Sequence, residues 1–238
     1  MSLQMFEDDE EAIQLPHPSV SLRFRLVIEN AIRATWERMV TNGRPGFDLQ
    51  SATEDVITHE LYERLYDEVF DKGIIDGFDR EIVSSIHREP KIRNFNGKNL
   101  DKMPDMFVSF VDRPGGIMHS QHGLFIECKP IDKEHPVGSA YCDEGVIRFV
   151  RGDYAWTMRE ALMIGYVRPE YTVIKLSEAF AKRKEPLLTN SPPKTCNKSR
   201  GTAYSKPVYF SEHNRSFRYQ NGTRKPGPIV VRHLWLDR

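Results

Sequence analysis

The sequence contains few cysteines and no long apolar run. Its three cysteines, Cys128, Cys142 and Cys196, form neither a C-x-x-C pair nor an even set that would suggest a disulfide framework. Reduced thiols are the simplest interpretation. No stretch approaches the roughly 20 apolar residues that a membrane span requires, and residues 1–11 lack the basic and apolar segments of a signal peptide. We therefore expect a soluble, cytoplasmic protein with no membrane partner.

Several motifs of nucleotide and hydrolase chemistry are also missing. The chain contains neither G-x-x-x-x-G-K-[ST] nor G-x-G-x-x-G, the glycine-rich loops whose backbone binds phosphates. It also lacks the G-x-S-x-G turn that presents a serine nucleophile. The sequence thus gives no support for nucleotide hydrolysis, dinucleotide chemistry or a serine hydrolase, and it predicts no nucleotide cofactor.

The formal net charge is zero, but positive and negative residues are unevenly distributed. Residues 1–181 contain 21 Lys and Arg against 31 Asp and Glu, whereas residues 182–238 contain 13 against 3. A basic segment attached to an acidic body is typical of proteins with a phosphate-rich partner. The alternative is that the basic segment docks on its own acidic body. Charge alone does not decide between the two.

The length suits one α/β domain with extensions. Residues 1–18 are acidic, end in two prolines and are predicted to form a flexible arm. Residues 19–181 form the predicted core. Residues 182–238 are predicted to form a basic loop, over 185–207, followed by C-terminal strands that pack on the core.

Apolar periodicity predicts the elements of this core. Helices are expected over 19–40 and 52–72, and strands over 81–89, 105–111 and 123–129. A helix over 154–165, a strand over 171–176 and a helix over 177–184 follow, and the tail strands are expected over 208–211, 216–220 and 229–236. The order of helix, three strands, helix and strand predicts a central mixed β-sheet flanked by helices.

One spacing in this order concerns chemistry. Asp105 begins the second strand, and Glu127-Cys128-Lys129 ends the third. Because side chains alternate across a strand, Glu127 and Lys129 share one face, and a hairpin would bring Asp105 beside them. One or two carboxylates commonly hold Mg²⁺, and a bound metal activates water and stabilises charge on a phosphate. Asp105, Glu127 and the carbonyl of Cys128 are therefore candidate ligands of Mg²⁺ or Mn²⁺. Lys129 is a candidate to orient water or neutralise charge.

The pattern of Pro104-Asp105, 21 intervening residues and Glu127-Cys128-Lys129 resembles the PD-(D/E)xK nuclease superfamily. The resemblance covers roughly residues 50–176. It implies a restriction-endonuclease-like core and a metal-dependent endonuclease acting on DNA, in a context such as restriction or phage defence. Because cutting both strands of a duplex needs two sites, we expect a homodimer. One alternative is a nucleic-acid-binding module of the same fold that does not cut. Another is a surface hairpin in which Glu127 and Lys129 form an exposed ion pair.

The resemblance also implies a catalytic glutamate from the helix before the strands, for which Glu54 and Glu60 are candidates. At about 100° per residue, the apolar stripe of this helix centres about 60° from Ile57. Glu54 projects onto that centre, whereas Glu60 lies about 120° away. We therefore predict a catalytic role for Glu54. The alternative is a capping box between Ser51 and Glu54.

Four basic residues are candidate contacts for nucleic-acid phosphates. Arg148 and Arg151 follow the E-x-K strand, where Gly152 would allow a tight turn beside the site, and Lys198 and Arg200 lie in the basic loop. Contacts of this kind position a nucleic acid without reading its sequence. The alternative for Arg148 and Arg151 is an ordinary loop with solvated arginines.

Overall fold

The computed structural model describes residues 18–112, 117–183, 189–196, 208–219 and 226–238, with the backbone alone for 189–196. Its described α-helices are α1 (Leu22–Thr41), α2 (Glu54–Arg64), α3 (Ile147–Arg151) and α4 (Val173–Ala181). A π-helical turn, Leu65–Phe70, continues α2, and a π-helical segment, Val137–Val146, leads directly into α3. The strands are β1 (Val83–Arg88), β2 (Met106–Phe110), β3 (Gly123–Ile131), β4 (Glu160–Val167), β5 (Thr189–Cys196), β6 (Val208–His213) and β7 (Ile229–Asp237).

The seven described strands form one mixed sheet in the order β1-β2-β3-β4-β7-β6-β5. The β1-β2-β3 unit is antiparallel, β3, β4 and β7 run parallel, and β6 and β5 continue antiparallel. Parallel neighbours need a crossover connection, which between β3 and β4 is the helical segment Val137–Arg151. The predicted α/β class, a mixed sheet flanked by helices, is confirmed.

Helices α1 and α2 follow the predicted periodicity. The side chains of Ile57, Leu61, Leu65 and Val69 are fully buried, as a core-facing stripe requires. In α1, Trp36 stacks on Tyr166 of β4 with ring centroids 5.4 Å apart. These contacts bury apolar area on one face of the sheet, which is the main stabilising contribution to such packing.

The alternative interpretation of Glu54, a capping box with Ser51 at the start of α2, is wrong. The N-cap residue is Thr53, so Glu54 is the first helical residue and not the third. The Ser51 hydroxyl donates to the Asp48 carboxylate instead. The α-helical part also ends earlier than predicted, because the chain changes to π-helical geometry at Leu65.

The helix predicted over 154–165 and the strand predicted over 171–176 are wrong. Residues Glu160–Val167 form β4, and Val173–Ala181 form α4. All eight residues of β4 are buried, because this central strand is covered on both faces. Such a strand is a continuous apolar run, which periodicity cannot distinguish from a buried helix.

The helical crossover Val137–Arg151 was not predicted. Glycine lowers helix propensity, and this segment contains Gly138 and Gly145. A Cβ atom at Gly145 would lie 2.6 Å from the terminal methyl group of Met163 in β4, which is the end of a flexible side chain and can shift. The two glycines thus obscure the helix in the sequence.

The C-terminal strands belong to the main sheet, since β7 lies between β4 and β6. The loop predicted over 185–207 is wrong for Thr189–Cys196, which pairs with β6 as β5. The strand predicted over 216–220 is also wrong: residues 214–219 have no ladder, and the guanidinium of Arg215 donates to the carbonyls of Ala155 and Met158. The predicted arm falls almost entirely in residues 1–17, outside the described residues. In the part of the chain that the structure describes, no helix has both the length and the apolar character of a membrane span.

Candidate active site

The β2-β3 hairpin brings Asp105 and the Glu127 segment together. Met106 is paired with Ile126, so Asp105, one residue earlier, comes opposite Glu127, one residue later. The carboxylate of Asp105 accepts a hydrogen bond from the Cys128 backbone N–H at 2.5 Å. The sequence-predicted neighbours thus meet at the end of the antiparallel ladder.

Lys129 connects this hairpin to the start of α2. Its ammonium donates to Glu54 Oε1 at 2.6 Å and lies 3.5 Å from Glu127 Oε1. Glu60, the other candidate, pairs instead with Arg64 and, at 3.4 Å, with Arg44. Of the two helix carboxylates, Glu54 is therefore the one at the site.

Two further side chains hold Glu127, which has no exposed surface. Arg148 Nη1 lies 3.0 Å from Glu127 Oε1, and the Tyr154 hydroxyl donates to Glu127 Oε2. We predicted a phosphate contact for Arg148, but in the structure this side chain contacts a carboxylate of the site. Sequence reasoning missed Tyr154, because its position depends on the unrecognised crossover helix.

The turn that places Tyr154 requires a glycine. Gly152 ends α3 in the left-handed region at φ 74°, which glycine adopts without strain. A Cβ atom there would lie 2.6 Å from the Phe217 ring. The predicted tight turn at Gly152 is therefore present, and Gly152 was the signal in the sequence that pointed to it.

The electrostatics of the site are dominated by buried carboxylates. Burial, together with the nearby charge of Asp105, raises the pKa of Glu127 to about 8. Burial also raises the pKa of Asp105 to about 6, although Lys129 opposes the shift. Burial would lower the pKa of Lys129, but Glu127 and Glu54 outweigh it and raise that pKa above its ordinary value. Lys129 is thus a permanent cation at neutral pH.

Carboxylate oxygens are the ligand type that a hard divalent cation prefers. Three carboxylates, Glu54, Asp105 and Glu127, face two cations, Lys129 and Arg148, so with every group ionised the cluster has one excess negative charge. Glu127 Oε1 is buried and accepts no hydrogen bond from the described residues. Asp105 and Glu127 are the oxygen donors that would hold Mg²⁺, an ion that usually keeps several waters.

No three His, Cys, Asp or Glu side chains within the described ranges form a fuller ligand cage. Water and backbone would therefore have to complete the coordination of a cation. The Cys128 carbonyl stays a prediction for this role. The Cys128 thiol is fully buried, and burial raises its pKa, so the thiol is unsuited to bind a metal.

The remaining predicted phosphate contacts are separated from this cluster. Arg151 is exposed at the end of α3, while Lys198 and Arg200 lie outside the described residues. Other arginines of the basic segment pair within the protein: Arg183 with Asp143, Arg232 with Glu29 and Arg238 with Asp132. Part of the basic segment thus docks on the acidic body, as the alternative interpretation expected.

Comparison of the chain with protein-family models, with curated proteins and with solved structures finds no match.

Proposed function

We propose that this protein is a metal-dependent nuclease of the PD-(D/E)xK type that hydrolyses phosphodiester bonds in DNA. One observation carries the proposal: Asp105, Glu127 and Lys129 converge at the end of the β2-β3 hairpin, with Glu54 of α2 bound to the lysine. The helix, three-strand, helix and strand order of α2 to β4 also supports a restriction-endonuclease-like core. Cutting both strands of a duplex needs two sites, so we propose a homodimer.

The residues of the site have distinct roles in this proposal. Asp105 and Glu127 would hold Mg²⁺, which when bound lowers the pKa of a coordinated water and stabilises charge building on the phosphate. Lys129, protonated at neutral pH, places a fixed positive charge beside the phosphate and does not act as a base. Glu54 fixes the ammonium of Lys129, while Arg148 and Tyr154 orient the Glu127 carboxylate.

A second candidate is a nucleic-acid-binding module that does not cut. It is favoured by the internal pairing of the cluster, in which Lys129 and Arg148 already contact the carboxylates. In that case these contacts would stabilise the fold, and no cation would be required.

Incubation of the purified protein with supercoiled plasmid separates the two candidates. With Mg²⁺ or Mn²⁺ we expect nicked and linear products, and with EDTA none. Asp105→Asn should abolish both products, whereas Asp76→Asn, at an exposed position away from the site, should leave them unchanged. Plasmid that is bound but stays intact under all metals supports the non-cleaving module.

A further inference from the structure

A surface next to Asp105 has no role in the site described so far. Its centre is the connection between β1 and β2, where Ile92 and Lys102 exchange backbone hydrogen bonds of 2.7 and 3.2 Å. The connection leads directly to the site, because the Glu89 N–H donates to the Asp105 carbonyl at 3.1 Å. Residues 91–103 thus form a closed loop beside the candidate metal ligands.

This loop is fixed to two other segments of the chain. The Phe95 N–H donates to the Gly152 carbonyl at 3.1 Å, and the Phe95 ring stacks on Phe217 with centroids 4.5 Å apart. The Trp156 indole N–H donates to the Arg93 carbonyl at 2.9 Å. Residues 91–103, 151–156 and 217–219 therefore form one continuous surface, called the loop face below.

The loop face is basic, although residues 1–181 as a whole are acidic. It carries five exposed cations, Lys91, Arg93, Lys98, Arg151 and Arg218. None of the five has a carboxylate partner among the described residues, in contrast to Lys102, which lies 3.1 Å from Asp153. Exposed, unpaired cations concentrated on one face are the electrostatic mark of a surface that contacts phosphates.

Aromatic rings accompany these cations. Trp156 and Tyr219 are partly exposed, with ring centroids 6.3 Å apart, and the Tyr219 hydroxyl donates to the Trp156 carbonyl at 3.0 Å. Cations that follow a backbone and aromatic rings that stack on bases are the combination by which proteins bind single strands. A duplex covers its base faces, so it would leave the rings without stacking partners.

We propose that the loop face binds a single-stranded stretch of nucleic acid and leads it to the Asp105–Glu127–Lys129 site. Its phosphates contact Lys91, Arg93 and Lys98, and a base stacks on Trp156. This deepens the proposed function by naming the part of its DNA substrate that is recognised, a locally unpaired strand within a duplex. The inference rests on that function only for what happens to the bound strand. Binding itself is measurable without metal and without cleavage.

The test is fluorescence anisotropy in EDTA with labelled oligothymidine, oligouridine and a duplex of equal length. We expect the full-length protein to bind single strands more tightly than the duplex. The triple variant Lys91→Ala, Arg93→Ala, Lys98→Ala should weaken this binding and make the slope of log K against log salt shallower by roughly 0.7 for each lost contact. The control triple Arg23→Ala, Lys72→Ala, Lys175→Ala, exposed cations outside the loop face, should bind as wild type.

A second variant tests the stacking. Trp156→Leu keeps an apolar side chain beside Tyr219 and should weaken single-strand binding by at least about fivefold, with duplex binding unchanged. Circular dichroism checks folding. If Trp156→Leu is unfolded, the triple variant of Lys91, Arg93 and Lys98 alone tests the inference. The two single strands show whether DNA or RNA is the source of the phosphates.

Two results overturn the inference. The first is equal binding of single strands by both triple variants. The second is tighter binding of the duplex than of single strands, with a duplex affinity that Trp156→Leu does not change. Single-strand binding without any cleavage of nucleic acid would remove the proposed nuclease activity and leave the loop face intact. Metal-dependent cleavage by the wild type, together with unaltered binding by the loop-face triple variant, would remove the inference about the loop face and leave the proposed nuclease activity intact.

Discussion

Helix α2 takes part in two ionic clusters of the same composition but different surroundings. The site cluster contains three carboxylates and two cations: Glu54, Asp105, Glu127, Lys129 and Arg148. The second cluster, between α1 and α2, also contains three carboxylates and two cations: Glu60, Glu63, Glu68, Arg44 and Arg64. With every group ionised, each cluster therefore has one excess negative charge.

The difference lies in where the excess charge is located. In the second cluster the Glu63 side chain is 40% exposed, so water solvates its charge. In the site cluster the Glu127 side chain has no exposed surface, and burial raises its pKa to about 8. A buried carboxylate without sufficient positive charge must bind a proton or a cation. Burial, rather than charge count, thus makes the first cluster a candidate active site.

The largest effect that would test this comparison is the loss of activity in Asp105→Asn. Mutation of a residue that only hydrogen-bonds to a metal ligand commonly reduces metal affinity or activity by about 10- to 100-fold. We therefore expect loss of a ligand itself to reduce plasmid cleavage by more than about 1000-fold. The fold should persist, because the substitution removes charge from a buried place. Cleavage rate and thermal unfolding are measured on the same preparation. Wild-type cleavage by Asp105→Asn would contradict the assignment.

The second cluster should respond in stability. Glu60→Ala leaves Arg64, whose side chain is 2% exposed, with hydrogen bonds only to the carbonyls of Arg38 and Asn42 among the described residues. An uncompensated buried charge costs about 3–5 kcal/mol, which urea denaturation measures. Glu63→Ala is the matched control, since an exposed pair contributes under about 1 kcal/mol. Equal losses of unfolding free energy in Glu60→Ala and Glu63→Ala would show that burial does not determine how much each ion pair contributes to stability.

A smaller effect compares the two helix carboxylates directly. Glu54→Gln deprives the Lys129 ammonium of its closest carboxylate, so we expect cleavage per folded molecule to fall by about tenfold or more. Glu60→Gln should lower the free energy of unfolding and leave the cleavage rate per folded molecule unchanged. A larger loss of cleavage in Glu60→Gln than in Glu54→Gln would contradict the assignment of Glu54 to the site.

Sequence reasoning was sufficient where a pattern is local. Alternation along β3 put Glu127 and Lys129 on one face, and the apolar stripe of α2 favoured Glu54 over Glu60, which the structure places elsewhere. The roles of Arg148 and Tyr154 toward Glu127 were not predictable, because 21 and 27 positions separate them from it and the crossover between was assigned wrongly. The two clusters could not be separated either, since composition does not report burial.

Four of the five cations of the loop face were missed for a related reason. Lys91, Arg93 and Lys98 lie within a region that is acidic overall, and Arg218 comes from the far end of the chain. Only the docking of Phe95 on Gly152 and Phe217 brings these segments together. A net charge summed along the sequence therefore could not reveal this second basic surface.

His233 on β7 extends the comparison of the two ionic clusters, because it is a buried polar group without an excess charge. His233 is fully buried and shares hydrogen bonds with the Tyr141 hydroxyl at 3.0 Å and the Ser211 hydroxyl at 2.8 Å. Burial, assisted by the nearby His213 and Arg232, lowers the pKa of His233 well below 6.5. The imidazole is thus held neutral in the folded protein.

The smallest predicted effect follows from this lowered pKa. Below pH 6.5 the unfolded chain takes up a proton at His233 and the folded protein does not, so the free energy of unfolding falls as pH decreases, by at most about 1.4 kcal/mol per pH unit. His233→Gln, which keeps a hydrogen-bonding side chain, should make this slope shallower. His59→Gln, at a half-exposed ring, should not change it. Urea denaturation across this pH range measures the slope. A slope unaltered in His233→Gln would contradict the prediction.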